Sequence, residues 1–401
     1  MLKINDDFYK FIEQNKDKDP NNLRLSLKPQ SYTFDLNLAI TQIECRKKVS
    51  LKLKNFISSH LFIFPDTISA EQSSHQAVAY YHSNKIKENE TVCDMTAGLG
   101  IDSMSCAKKG GIVTALELDP LKAEALNYNS KVLGLKAFQV INTDSIEYLR
   151  HTNLHYNVIF ADPSRRGECN KRLYNLRDCS PNIIENQDIL LKHCDKLLIK
   201  ASPLLDISQT IKDFPYIVSI SAIGVKGECK ELLIELKSSG KFKNNNIKIE
   251  AVNLDNDGEI ISFFTDELNI EKNSRVIDFA TEQDLLSGAF LLEPSAMVMK
   301  LSPWETICTR FEAKKIGKSS HLFVTQSQPS EFPGRVTKIM RIIRKQDRKS
   351  LIGLPATVVS RNHPLKAEEI RRVYKLKEGT DNFIYATKLG DKPVILESIS
   401  C

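Results

Sequence analysis

The stretch that decides the fold is Thr91-Val-Cys-Asp-Met-Thr-Ala-Gly-Leu-Gly-Ile-Asp102. A short apolar run ends in Asp94, passes through the two glycines Gly98 and Gly100, and leads into a helical pattern. Strand, glycine turn, helix is the context in which a backbone approaches a ligand closely and a helix N-terminus offers free N–H donors. No third glycine follows at the dinucleotide spacing, since Ile101 and Asp102 stand there. That argues against a nicotinamide dinucleotide and for a smaller adenosyl ligand.

Reading outward, apolar runs at 91–95, 112–118, 137–142, 156–162, 196–201, 216–221 and 229–236 predict seven strands. Helical patterns near 101–110, 120–134 and 181–193 separate the earlier ones, as in a parallel α/β sheet. The last two leave no room for a helix and predict an antiparallel end. Carboxylates recur where strands end. Asp94 closes the first strand and is placed to receive a ligand ammonium. Glu117 closes the second, some twenty residues after the glycine loop, suited to two ribose hydroxyls. Asp144, with Ser145, follows the third and suits an adenine edge. Thr96, Ala97, Gly98, Gly100, Asp102 and Leu118 complete the predicted binding set for S-adenosyl-L-methionine. Any one of these carboxylates alone also reads as a helix cap or a solvated turn.

Asp162-Pro163-Ser164-Arg165-Arg166 ends the fourth strand. The segment resembles the strand-four end where class I methyltransferases meet the methyl acceptor, which makes Asp162 the candidate to position that acceptor or take its proton. Enzymes that methylate exocyclic base nitrogens carry Pro and an aromatic where Ser164 and Arg165 stand, a departure that argues against simple amine chemistry. Arg165 and Arg166 suit a base, a guanine edge or a phosphate, or pair with Glu168 or Glu185. Cys169 and Cys179 read as inert thiols. Lys200, closing the fifth strand, is placed at the crevice rim or on the surface. Gln72 covers the cofactor or belongs to a scaffold helix, for which Ser69-Ala-Glu-Gln72 reads as a capping box.

The chain has 401 residues, 41% hydrophobic and 26% charged, enough for two to three domains. No apolar window is long enough for a membrane span, and the N-terminus lacks a signal core, so a cytoplasmic protein is expected. Nine cysteines without C-x-x-C spacing read as reduced thiols, with no metal expected. The net charge of +6 is uneven. Residues 311–378 hold 16 Lys/Arg against 6 Asp/Glu, a footprint suited to a polyanion or to a plain solvated face. Arg335, Arg341, Arg344, Lys345, Arg361, Arg371 and Arg372 are the candidate RNA contacts, because clustered cations bind phosphates. His363 before Pro364 reads as a turn residue, and Trp304 as core.

These residues resemble a known family. The 94–162 stretch is similar to the core of class I S-adenosylmethionine-dependent methyltransferases. The whole chain resembles the bacterial methyltransferases with a C-terminal THUMP-like domain, through ISAEQSSHQAVAYY (68–81), FADPSRR (160–166), LIKASP (198–203), LLEPSAMVMK (291–300), FPGRV (332–336) and VSRNHPL (359–365). The resemblance implies an RNA-directed enzyme without fixing the target atom. The expected architecture is a Rossmann-like seven-stranded α/β sheet with an N-terminal helical region (1–83), a methyltransferase domain (84–240), an α+β, possibly ferredoxin-like, module (241–325) and a basic THUMP-like domain (326–401). A hairpin is expected around Asp255-Asn-Asp-Gly258. The expected activity is methylation of a nucleobase in tRNA or rRNA. Methylation of a protein or small molecule, and non-catalytic RNA binding, are the alternatives; oligomeric state is left open.

Overall fold

The computed structural model describes residues 3–165, 175–238, 246–269 and 277–401. They form two compact units, Met1–Ile261 and Ser262–Cys401.

The first unit is built on β1 (Thr91–Asp94), β2 (Ile112–Glu117), β3 (Phe138–Asn142), β4 (Tyr156–Ala161), β5 (Cys194–Ala201), β6 (Ile217–Val225) and β7 (Glu228–Lys237). Their order is β3-β2-β1-β4-β5-β7-β6. The first five run parallel and β7 is antiparallel to both its neighbours. The antiparallel end follows from a two-residue turn, Lys226-Gly227, with φ of 50° and 84°, the left-handed pair that tight hairpins need. The parallel strands carry almost unbroken apolar runs because helices cover both faces. Helix Pro120–Val132 starts on the side chain of Asp119 with proline in its first turn, and helix Ser145–His151 starts on Asp144. The strand order reverses between β1 and β4, which opens a crevice at the carboxyl edge of the sheet.

An eighth strand, β8 (Asn246–Leu254), pairs parallel with β6. The boundary expected at 241 is therefore corrected, since β8 belongs to the first sheet and the units divide after Ile261. The expected turn forms, with Asp255 Oδ1 accepting from the amides of Asp257, Gly258 and Glu259.

The N-terminal segment packs its own apolar cluster, from Phe8, Phe11 and Ile12 to Ile40 and Ile43. It is tied to the sheet region by Asn129, whose amide exchanges two 2.8 Å hydrogen bonds with the backbone of Ile63. The helix expected across 68–81 is broken. Thr67–Gln72 is capped by Asp66, not Ser69, and Gln76–Ser83 starts on the side chain of His75. Ser73 and Ser74 form the gap, and the gap turns Ser74 inward, where it is buried.

In the second unit a seven-stranded sheet runs Lys314–Lys315, Phe323–Thr325, Phe290–Pro294, Gly334–Ile342, Lys392–Ser400, Asn382–Leu389, Thr357–Ser360. The two expected C-terminal blocks thus share one sheet, because Gly334–Ile342 pairs with Phe290–Pro294 on one side and Lys392–Ser400 on the other. Lys345–Leu351 is a 3-10 helix and Ala367–Tyr374 an α-helix. Trp304 stacks on His321 and leans on Phe323. His363 accepts from the Leu365 amide in its turn.

Candidate methyl-transfer site

The glycine loop is held by backbone bonds from both sides. Met95 N–H donates to Phe160 of β4, and Ala97 N–H to Leu116 of β2, each at 3.0 Å. Gly98 (φ 54°) and Gly100 (φ 82°) both occupy the left-handed region. Gly100 has a second reason to be glycine, since a Cβ there would lie 2.1 Å from Leu126 Cδ1. At Gly98 a Cβ would meet only the Thr96 carbonyl, at 4.0 Å. Gly100 therefore serves packing, while Gly98 leaves the loop bare.

Glu117, at the end of β2, reaches across to this loop. Its Oε2 accepts from Gly98 N–H at 2.7 Å and its Oε1 from Asp119 N–H at 2.8 Å. Exposed Leu118 stands beside it. Asp94 is buried and accepts from Thr96 N–H and from the Ser103 hydroxyl. Burial, aided by the charges of Asp102 and Asp162, outweighs those hydrogen bonds and pushes its carboxyl up to about 7. Thr96 does double duty, its hydroxyl accepting from Asp162 N–H at 2.7 Å. Asp144 spends one carboxylate oxygen on the amides of Ile146 and Glu147, so its visible work is capping.

Asp94, Thr96, Gly98, Gly100, Glu117, Leu118 and Asp144 open on one cavity of about 1060 Å³, together with Gln72, Ser145 and Asp162. Among the predicted cofactor residues, Asp102 faces two ways. It lines the cavity, yet its carboxylate is bonded to Ser74 and to His82 Nδ1 at 2.8 Å. Burial alone would raise it, but the His82 hydrogen bond and the Lys200 charge prevail and hold it at about 2.

Asp162 follows β4, with Pro163 next. Lys200, placed by the sequence at the rim or on the surface, instead turns inward and donates to Asp162 Oδ2 at 2.7 Å. Burial raises the Asp162 carboxyl, and Lys200 works against that rise. The Arg165 side chain and the whole of Arg166, with Glu168 and Cys169, lie outside the described residues. Cys179 is buried, its thiol directed at the Asn175 carbonyl.

Three residues of this region were missed by sequence reasoning. His82, Ser74 and Glu231 lie behind Asp162, with His82 Nε2 at 2.6 Å from Glu231 Oε1. A signal existed for Glu231, a carboxylate directly before the apolar Leu232-Leu233-Ile234 run. His82 sits in an unremarkable helix pattern and offered none.

With this geometry in place, comparison with known proteins sets the family context. Residues 290–333 match a ferredoxin-like domain and residues 335–398 a THUMP domain-like family. A solved structure from Porphyromonas gingivalis W83, named only provisionally as a methyltransferase, superposes over 100% of both chains with a TM-score of 0.84 at 24% identity. The chain has a class I methyltransferase fold followed by ferredoxin-like and THUMP-like domains. An uncharacterized RNA methyltransferase of Mycoplasma mobile is 28% identical over 131 residues, covering 32% of this chain and 36% of that protein. Ribosomal RNA small subunit methyltransferase J of Francisella philomiragia is 28% identical over 120 residues, covering 27% and 50%. The chain thus spans about a third to a half of the length of these relatives.

In and beside the THUMP-like domain, most predicted RNA contacts are engaged internally. Arg335 Nη1 and Arg361 Nη2 each lie 3.0 Å from the carboxylate of Glu293, which is 8% exposed and also accepts from Tyr385. Arg341 pairs with Glu397 and Arg344 with Glu282, while Arg371 donates to the Lys377 carbonyl. In the free protein these five arginines are held by partners in their own unit while their side chains stay partly exposed. Lys345 and Arg372 are exposed and have no ionic partner among the described residues. The reason is simple, since a sheet that buries Glu293 must bring cations to it.

Proposed function

We propose that this chain is an S-adenosyl-L-methionine-dependent methyltransferase whose acceptor is a nucleobase of structured RNA, tRNA or rRNA. The observation that carries the reading is the convergence of Asp94, Glu117 and Asp162, from three adjacent strand ends, on one cavity beside a bare glycine loop. The residues suit the cofactor. Gly98 leaves room for close approach, Glu117 presents a fixed carboxylate to ribose hydroxyls, and Leu118 gives an apolar wall for a base. Asp94 meets an ammonium, whose charge would draw its carboxyl down from about 7. Ser145 and Asp144 border the adenine side.

When bound, S-adenosyl-L-methionine supplies an electrophilic methyl group on a sulfonium. The protein's part is to align and to accept a proton. Asp162 stands at the acceptor position, its backbone fixed by Thr96 and its carboxylate by Lys200. Such fixation removes motion that would otherwise be lost at the moment of transfer. RNA docking falls to exposed cations such as Lys345 and Arg372, with phosphate contacts giving affinity and the strand ends giving geometry.

Calorimetry with S-adenosyl-L-methionine and its demethylated product tests the first half of this reading. Mass spectrometry of nucleosides from wild-type and deletion cells tests the second, and a missing methylated base in the deletion strain is the expected result. Binding of bulk tRNA that is flat with salt would transfer support to a protein or small-molecule acceptor.

A further inference from the structure

Behind Asp162 the side chains close into a ring. Lys200 Nζ donates to Ser74 Oγ at 2.7 Å, and Ser74 donates onward to Asp102 Oδ2. Asp102 Oδ1 holds His82 Nδ1 at 2.8 Å, and His82 Nε2 lies 2.6 Å from Glu231 Oε1, an ionic contact out of line for a hydrogen bond. Glu231 Oε2 returns to Lys200 Nζ at 3.9 Å. The five members come from the gap after helix Thr67–Gln72, helix Gln76–Ser83, helix Ile101–Lys108, β5 and β7. All are buried except Lys200, whose side chain is 13% exposed. Two cations face two carboxylates, so the ring balances its own charge. Lys200 reaches out of it with a donor to Asp162, which lines the cavity alongside Ser74 and Asp102.

We propose that Lys200, fixed by the ring of Ser74, Asp102, His82 and Glu231, is the positioning residue that holds the Asp162 carboxylate charged and aimed at a hydrogen-bond donor of the methyl acceptor. This rests on the reading of Asp162 as the acceptor-side group. A lysine stem has several rotatable bonds and costs entropy to order. Here the ordering is complete on folding, because Ser74 and Glu231 fix the ammonium from behind. The charged groups facing Asp162 are Lys200 on β5, Asp102 and Glu231 in the ring, and Asp94 on β1. Three of these four are carboxylates that oppose its ionisation, so Lys200 alone among them favours the charged form. The ring also gives the N-terminal segment a catalytic duty, since Ser74 and His82 precede the first strand of the sheet.

The test is isotope-edited infrared difference spectroscopy of the full chain, wild type against Asp162→Asn, which reads protonation of Asp162 across pH without requiring turnover. Lys200→Met should raise the Asp162 midpoint by one pH unit or more, and Lys200→Arg should restore it. Lys200→Gln, polar but uncharged, should raise it as well. In parallel, methyl transfer to bulk tRNA and total rRNA should fall at least tenfold in kcat for Lys200→Met, with calorimetric affinity for S-adenosyl-L-methionine within twofold of wild type. An unchanged midpoint in Lys200→Met overturns the proposal. If that variant does not fold, Lys200→Gln decides, and an unmoved or lowered midpoint there overturns it equally. A wild type that shows the infrared shifts but methylates neither RNA refutes the RNA reading and leaves the ring's role standing.

Discussion

Gly98 N–H donates a 2.7 Å hydrogen bond to Glu117 Oε2, so the turn after β1 and the end of β2 are locked to each other. The same carboxylate's other oxygen holds the Asp119 amide that begins the next helix. One side chain thereby sets the floor and one wall of the cavity before any ligand arrives. Replacing it by alanine removes the lock and, on the proposed reading, the ribose contact. Glu117→Ala should weaken S-adenosyl-L-methionine binding by about 1.5–3 kcal/mol, the worth of a charge-assisted hydrogen bond. Isothermal calorimetry reads this directly, and an unchanged Kd would remove Glu117 from the site.

The two glycines should separate in their effects. Gly100→Ala puts a methyl 2.1 Å from Leu126 Cδ1 at a left-handed φ and should lower thermal stability by about 1–3 kcal/mol. Gly98→Ala meets open space, so its stability loss should be confined to the backbone strain, about 1 kcal/mol, while ligand affinity falls more sharply. Paired melting and binding measurements distinguish the two. Equal stability losses at both positions would contradict this assignment.

The His82 imidazole gives stability a pH signature. Burial lowers its affinity for a proton, but the Glu231 charge and the Asp102 hydrogen bond prevail and raise it to about 9. A group whose folded value lies above its unfolded one stabilises fully below about 6.5, and that contribution disappears as pH rises through about 9. Asp102, held at about 2, contributes above its ordinary carboxylate range and loses its share as pH falls through about 2. Wild-type Tm should therefore decline between about pH 6.5 and 9. His82→Asn should be less stable throughout and lose that decline. A wild-type Tm flat over the window would mean His82 is neutral.

Basic residues of the second unit should divide by partner. Glu293→Ala removes the shared partner of Arg335, Arg361 and the buried Tyr385 hydroxyl and should cost about 1–3 kcal/mol in stability, the exposed arginines turning to water. Lys345→Ala combined with Arg372→Ala should leave unfolding stability within about 0.5 kcal/mol of wild type and reduce the salt slope of RNA binding by about one per contact. Filter binding of bulk tRNA at several salt concentrations checks this. Loss of affinity on Glu293→Ala in a fully folded protein, with none in the double variant, would reverse the division.

Much of the first sheet was legible because each strand is a short apolar run bounded by turn residues, and because β1 carries its glycine loop. The acidic strand ends were legible for the same reason, being fixed in chain order. What escaped was side-chain direction. The 68–81 helix pattern continues through Ser73-Ser74, and only tertiary context breaks it, where Ser74 finds Lys200 and Asp102. Lys200 looked like a rim or surface lysine since nothing local announces Asp162, 38 residues earlier. The pairing of Arg335, Arg341, Arg344 and Arg361 was not legible because their carboxylate partners, Glu282, Glu293 and Glu397, all lie outside the basic block. Strand β8 looked like part of the next module, its parallel partner β6 being distant from its own turn.

The strand Gly334–Ile342, hydrogen-bonded on both edges, has a consequence for how this protein is inherited and cut. It lies at the junction of two named domains, yet its neighbours on either side come one from each. Severing the chain at 326 or 335 would leave Phe290–Pro294 with a bare edge, an invitation to aggregation. The ferredoxin-like and THUMP-like segments are therefore a single heritable cassette. A recombination event or a graft that moves one must carry the other, because the edges of Gly334–Ile342 pair with both.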